Sequence, residues 1–90
     1  MLKIRYSSRF KKDFKTIVKR GYDVNLLEEI INILVQGKPL PKKYRDHPLA
    51  GNYGGHRECH ITPDWLLIYK IDKDTLTLSL TRTGTHSDLF

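Results

Sequence analysis

Residues 56–82 read HRECHITPDWLLIYKIDKDTLTLSLTR, and this stretch decides the fold. Its centre, Trp65 to Tyr69, is an unbroken apolar run of the kind found in a strand buried on both faces. On the C-terminal side, Leu76, Leu78 and Leu80 alternate with threonine and serine, so Thr75–Arg82 reads as a strand with one apolar face. On the N-terminal side, Gly54 and Gly55 in front and Pro63 behind bracket an alternation of polar and apolar residues, which makes His56–Ile61 a third strand. Three strands in succession form the body of a small, mainly antiparallel sheet.

Upstream, Leu2, Ile4 and Tyr6 alternate with Lys3 and Arg5, the pattern of a first strand over residues 2–6. Ser7 and Ser8 offer N-caps for a helix in which Phe10, Phe14, Ile17 and Val18 keep helical spacing while Lys11, Lys15 and Lys19 line the other side; Gly21 closes it. Asp23 or Asn25 caps a second helix, whose stripe of Leu27, Ile30, Ile31, Leu34 and Val35 stops at Gly37 and the Pro39/Pro41 pair. Residues 37–55 then hold three of the four prolines and four of the six glycines, which predicts a long loop, and loops of that length are usually functional or disordered. The tail GTHSDLF reads as short and irregular. The order is βααβββ, an α+β domain over residues 1–90 with a helical hairpin laid on one sheet face.

Composition narrows the partner. The longest apolar run is too short for a bilayer, the N-terminus interleaves charges where a secretory signal would be continuously apolar, and the single Cys59 excludes an internal disulfide framework. The expected compartment is the cytoplasm, without membrane attachment. A net charge of +6 and a pI near 9.6 call for an anionic partner. The excess sits early: in the first twenty residues eight lysines and arginines face only Asp13. Such a run reads either as a solvated helix face or as a surface for phosphate or an acidic protein segment.

Four histidines, His47, His56, His60 and His86, are the side chains best suited to move protons near neutrality. A metal held by His56, Glu58, Cys59 and His60 is excluded by strand geometry, since residues four apart in a strand lie ~13 Å from each other and Cys59 points to the opposite face. No metal and no other cofactor is expected. The same geometry puts His56, Glu58 and His60 on one wet face, over which the loop with His47 and the tail with His86 can close. Asp64 and Trp65 stand at its edge. Metal-free cleavage of RNA needs a base for the 2′-hydroxyl, a cation facing the phosphate and an acid for the leaving 5′-oxygen, and histidine, carboxylate and arginine supply these. Trp65 and Phe90 are the candidates for stacking on splayed bases, although a tryptophan opening an apolar strand is more usually core.

The segments YRDHPLAGNYGGHRECH, PDWLLIYK and RTGTHSDLF, in this order after a basic βαα start, resemble toxins of the YafQ branch of the RelE/ParE superfamily. The likeness covers essentially the whole chain and is carried by D-H-P-L before a glycine-rich turn, H-x-x-P-D-W, and R-x-G-[ST]-H-x-x-L-F. It implies a RelE-like fold, ribosome-dependent cutting of messenger RNA, neutralisation by a cognate antitoxin, and operator DNA binding mainly through that antitoxin. It also implies catalytic roles for His47, His60, Asp64 and His86, base contacts by Trp65 and Phe90, and an arginine facing phosphate at Arg82. Neither His56 nor the Glu58–Cys59 pair receives a role from it, and which group is acid and which base stays open. Two other functions fit the fold or the charge: a ParE-like topoisomerase inhibitor, which has no need of the histidine set, and a basic nucleic-acid-binding module without catalysis. Lys11, Lys15 and Lys19 are expected to meet the antitoxin or the ribosome.

Overall fold

The computed structural model describes residues 1–90 as β1 (Lys3–Tyr6), α1 (Ser8–Lys19), α2 (Val24–Val35), β2 (His47–Pro48), β3 (Arg57–Thr62), β4 (Trp65–Asp72), β5 (Thr77–Gly84) and α3 (His86–Leu89). Ser7, in extended backbone, starts α1 by accepting a hydrogen bond from the Phe10 amide, and Asp23 starts α2 by accepting one from Asn25. Each helix is followed by a glycine in the left-handed region, Gly21 at φ +77° and Gly37 at φ +73°, where a side chain would be strained.

The five strands lie in the order β1-β5-β4-β3-β2, with β1 parallel to β5 and every other pair antiparallel. Phe10 and Ile17 of α1 and Leu27, Ile30 and Leu34 of α2 pack on one sheet face against Cys59, Ile61, Leu67, Tyr69, Leu78 and Leu80. Burying each large side chain contributes roughly 1.5–3 kcal/mol, so this single layer of helix on sheet supplies most of the driving force. The α+β architecture with a helical hairpin on one face agrees with the pattern of apolar residues. No helix is long and apolar enough to cross a membrane.

Two elements escape the pattern. Within residues 37–56 the two residues of β2 pair with β3, and the tail forms α3. Leu89 of α3 packs on Leu66 and Ile68, with Leu49 and Tyr53 at the margin, making a second small core on the face away from the helices. The expected open, wet platform is therefore roofed at its centre, and its polar groups stand around that roof.

The loop carrying His47 is anchored from the helix side. Asp46 accepts hydrogen bonds from the Tyr69 hydroxyl at 2.5 Å and from Arg57 Nε at 3.1 Å. Burial pushes the Tyr69 phenol up, and its bond to Asp46 pushes it further. Burial alone would pull the Arg57 guanidinium down; the Asp46 charge and hydrogen bond more than offset it. Arg45, just before the anchor, is held in the left-handed region at φ 49°.

Candidate active site

β2 and β3 bring three polar side chains together. His47 lies opposite Glu58 in the register, and Glu58 and His60, two apart on one strand, share a face. His47 Nε2 is 3.4 Å from Glu58 Oε1, and His60 Nε2 is 3.7 Å from the same atom. The Glu58 side chain is only 8% exposed, and its ion-pair partners are the two imidazoles alone. The other ring nitrogens face backbone carbonyls: His47 Nδ1 that of Arg45 at 2.8 Å, His60 Nδ1 that of Pro63 at 3.4 Å. Each imidazole therefore has an acceptor at both nitrogens, a carbonyl at Nδ1 and the Glu58 carboxylate at Nε2. The strand register thus sets two imidazoles, side chains of the kind used in proton transfer, on one buried carboxylate.

The second group belongs to α3. Thr85 caps it by accepting from the Asp88 amide while Asp88 accepts from the Thr85 amide, and Arg20 at the end of α1 grips the same carboxylate through Nη1 at 2.6 Å and Nη2 at 3.1 Å. The Arg20 hydrogen bond, with help from Thr85, holds the Asp88 carboxyl well below the usual range. A side chain at Gly84 would meet Asp88 Oδ2 at 2.9 Å, so glycine is what lets α3 fold back this closely. His86, exposed on the first residue of α3, stacks on Phe90 with ring centroids 4.9 Å apart; Phe90 in turn meets Tyr53 edge-on at 5.8 Å. Beside them lies a cleft of about 480 Å³ bordered by Arg9, Asn52, Tyr53, Arg82 and Phe90.

The two groups occupy the same end of the sheet. His60 is opposite Leu66, and Leu66 is opposite Gly84, two residues before His86. Crossing from β3 to β5 covers two strand spacings, about 10 Å. His47 and His60 thus meet, whereas His86 stands across the roof with Phe90.

The other residues singled out in the sequence take varied places, and Trp65 departs most from expectation. Trp65 does not face a ligand: it is 2% exposed, donates its indole hydrogen to Thr83 Oγ1 at 2.8 Å and meets Tyr22 edge-on in the main core. The carboxylate beside His60 is Glu58, while Asp64 is exposed on the β3–β4 turn without an ion pair. Glu58 was missed because its partner His47 arrives from a loop that shows no strand pattern; its position two before His60 was the available signal. Arg82 gives Nε and Nη2 to Asp13 of α1, an ion pair whose hydrogen bond raises the guanidinium further, with a smaller contribution from Tyr53. His56 precedes β3 and leans on Tyr53 at 6.0 Å. Cys59 is fully buried on the helix side, as expected, and burial pushes its thiol far up, which removes it as a nucleophile or ligand. Lys11, Lys15 and Lys19 are exposed along α1, and the first two border an apolar groove between α1 and α2.

Comparison with known proteins bears on the family and the fold. Residues 2–90 match the family described as bacterial toxin of type II toxin-antitoxin system, YafQ. The chain is 44% identical to the mRNA interferase toxin YafQ of Escherichia coli, over 97% of this chain and 94% of that protein. The crystal structure of a metal-bound toxin from Helicobacter pylori superposes with a TM-score of 0.94 at 49% identity, covering 100% of both chains. A chain of the Escherichia coli DinJ-YafQ complex superposes at 0.91 and 43% identity, covering 100% of this chain and 99% of that one.

Proposed function

Because the chain belongs to the YafQ family of type II toxin-antitoxin toxins, we propose that it is an endoribonuclease that cuts messenger RNA on the ribosome by metal-free acid-base chemistry, until a cognate antitoxin neutralises it. The observation that carries the chemical part is the convergence of His47 and His60, each through Nε2, on the buried Glu58 carboxylate. Two imidazoles on a buried carboxylate on one side of the roof and an exposed histidine on the other, about 10 Å of sheet apart, can straddle a phosphodiester.

In this reading the His47–Glu58–His60 cluster takes the proton of the 2′-hydroxyl. The O2′ attacks phosphorus, the bond from phosphorus to O5′ breaks, and His86 returns a proton to O5′, leaving a 2′,3′-cyclic phosphate and a free 5′-hydroxyl. Phe90, 56% exposed and stacked on His86, holds a base beside the reacting phosphate. Arg82, paired with Asp13, and the exposed Arg9 border the cleft and supply positive charge across it. Asp64, exposed next to the cluster, contacts substrate rather than His60.

The DinJ-YafQ complex supports an antitoxin as partner. We place its acidic segment along Lys11, Lys15 and Lys19, where charge and apolar surface lie side by side. Operator DNA is reached only through the toxin-antitoxin complex.

The deciding experiment is expression of the intact protein beside His86→Ala, with primer extension on translated and untranslated copies of one transcript. Cuts that need both translation and His86 are the expected result. Growth arrest without any RNA cut would replace the nuclease with a topoisomerase-inhibitor function.

A further inference from the structure

The sheet margin beside His60 carries a second cavity. β2 pairs only with Arg57 and Glu58, so from Cys59 to Thr62 the outer edge of β3 has no strand beside it. The helical turn Lys42–Tyr44 and the first half of α2 stand off that edge, and the space they enclose is a cavity of about 350 Å³. Leu26 and Ile61 make its apolar side, Glu29, Lys43 and Arg45 its charged side, and His60 is part of its wall. The volume lies at the lower end of the roughly 300–1,000 Å³ of ligand sites, room for one nucleotide.

The two cations are free and held in place. Lys43 and Arg45 are exposed and belong to none of the protein's ion pairs, whereas Arg20, Arg57 and Arg82 are each gripped by a carboxylate. Lys43 Nζ lies 5.0 Å from the ring centroid of Tyr44, which is buried, so this ammonium rests on a fixed base. Arg45 keeps its left-handed backbone at φ 49°, and its carbonyl is the partner of His47 Nδ1 at 2.8 Å. The residue that brings charge to the cavity therefore also holds His47 in the cluster, and His60 belongs to both. Glu29 narrows the ligand further. A carboxylate in the wall repels a bare polyanion and needs a donor, and the 2′-hydroxyl is the donor that every ribonucleotide has, whatever its base. An acidic protein segment would bring another carboxylate against it.

We propose that this cavity binds the ribonucleotide one position 5′ of the nucleotide whose 2′-hydroxyl attacks, with the phosphate linking the two on Lys43 and Arg45 and the bound nucleotide's own 2′-hydroxyl on Glu29. The inference rests on the reading of the His47–Glu58–His60 cluster as the group that faces the attacking hydroxyl. With His86 at the leaving oxygen, the strand runs 3′-ward over the roof to Phe90 and 5′-ward past His60 into the cavity.

The test is run on full-length protein. First, His86→Ala, which binds without cutting, is titrated with a short RNA and with DNA of the same sequence while amide resonances are followed. RNA is expected to shift residues 43–45 and 60–62. Lys43→Ala and Arg45→Asn, the latter chosen because asparagine tolerates left-handed backbone, each weaken RNA binding about fivefold or more and flatten its salt dependence. Lys73→Ala, on the exposed β4–β5 turn, stays within about twofold. DNA binds more weakly than RNA, and Glu29→Ala removes the difference. Circular dichroism confirms that each variant is folded. Second, in ribosome-bound messenger RNA a neutral methylphosphonate replaces the linkage 5′ of the mapped cut. That linkage and Lys43→Ala each slow cutting about fivefold or more, and together no more than the larger alone, because both remove one contact. Losses that multiply put Lys43 against something else and overturn the subsite. RNA binding that ignores both Lys43→Ala and Arg45→Asn overturns it too, as does a loss confined to antitoxin binding, which would give the cavity to an acidic protein segment. A difference between RNA and DNA that survives Glu29→Ala overturns the contact to the 2′-hydroxyl. RNA bound as expected with no cut in any transcript overturns the nuclease reading and leaves the cavity an RNA-binding site.

Discussion

Arg20 and Asp88, 68 residues apart, join the end of α1 to α3 through two parallel hydrogen bonds of 2.6 Å and 3.1 Å. This pair, with the Thr85 cap on the same carboxylate, fixes where His86 stands. The folded-state Asp88 carboxyl lies well below its unfolded value of about 3.9, so the pair's contribution is complete above that pH and is lost as pH falls through the depressed folded value. Amide resonances of residues 85–90 are expected to shift between pH 4 and the acid limit while those of β4 stay in place; at neutral pH, Asp88→Asn is expected to slow cleavage about tenfold or more with the core intact. Unaltered cleavage by Asp88→Asn would separate His86 placement from the pair.

Glu58 and Asp64 separate by kinetics. Replacing Glu58 by Gln leaves size and burial alone but takes the charge from between His47 and His60, and should lower the single-turnover rate about 100-fold. Asp64→Asn, on an exposed turn, should act chiefly on substrate affinity and by about tenfold or less. The reverse ranking would return the acidic role to Asp64.

Trp65 and Phe90 should behave in opposite ways. Trp65→Phe removes the indole hydrogen bond to Thr83 and part of the core packing, costing about 1–3 kcal/mol in denaturant unfolding with little change in cutting per folded molecule. Phe90→Ala, at a ring 56% exposed, should leave the unfolding midpoint nearly unchanged and weaken RNA engagement. Loss of RNA binding by folded Trp65→Phe would contradict its place in the core.

Charge reversal at Lys11 and Lys15 is expected to weaken association with the antitoxin or with ribosomes, and to flatten the dependence of affinity on salt. Titrations at several ionic strengths measure both quantities. Unchanged affinity and slope for both partners would reduce this helix face to solvated charge.

Regular elements were legible because their patterns are long: the alternation through Leu76, Leu78 and Leu80, the unbroken run from Trp65, and the stripe from Leu27 to Val35 each repeat enough to fix a period. β2 has two residues and no period to read. α3 has four, although Thr85 and Asp88 carried the spacing of a capping box. Pairings between distant residues were least visible. Arg82 looked free for phosphate until Asp13, 69 residues earlier, proved to be its partner. Glu58 read as a neighbour of His60 on one wet face and no more, because neither the nearness of His47 nor the burial between two imidazoles leaves a local trace. The histidines themselves were found by chemistry, and their division into a pair and a distant third came only from strand register.

The parallel pairing of β1 with β5 sets a timetable for synthesis. Lys3 takes its place opposite Thr77, and Tyr6 opposite Leu80, so the first strand made waits for the last. Until those residues leave the exit tunnel, Phe10, Ile17 and Leu27 have no completed sheet to cover, and α1 and α2 remain a hairpin with its apolar side uncovered. The cleft bordered by Arg82 and Phe90 likewise does not exist before β5 has been delivered.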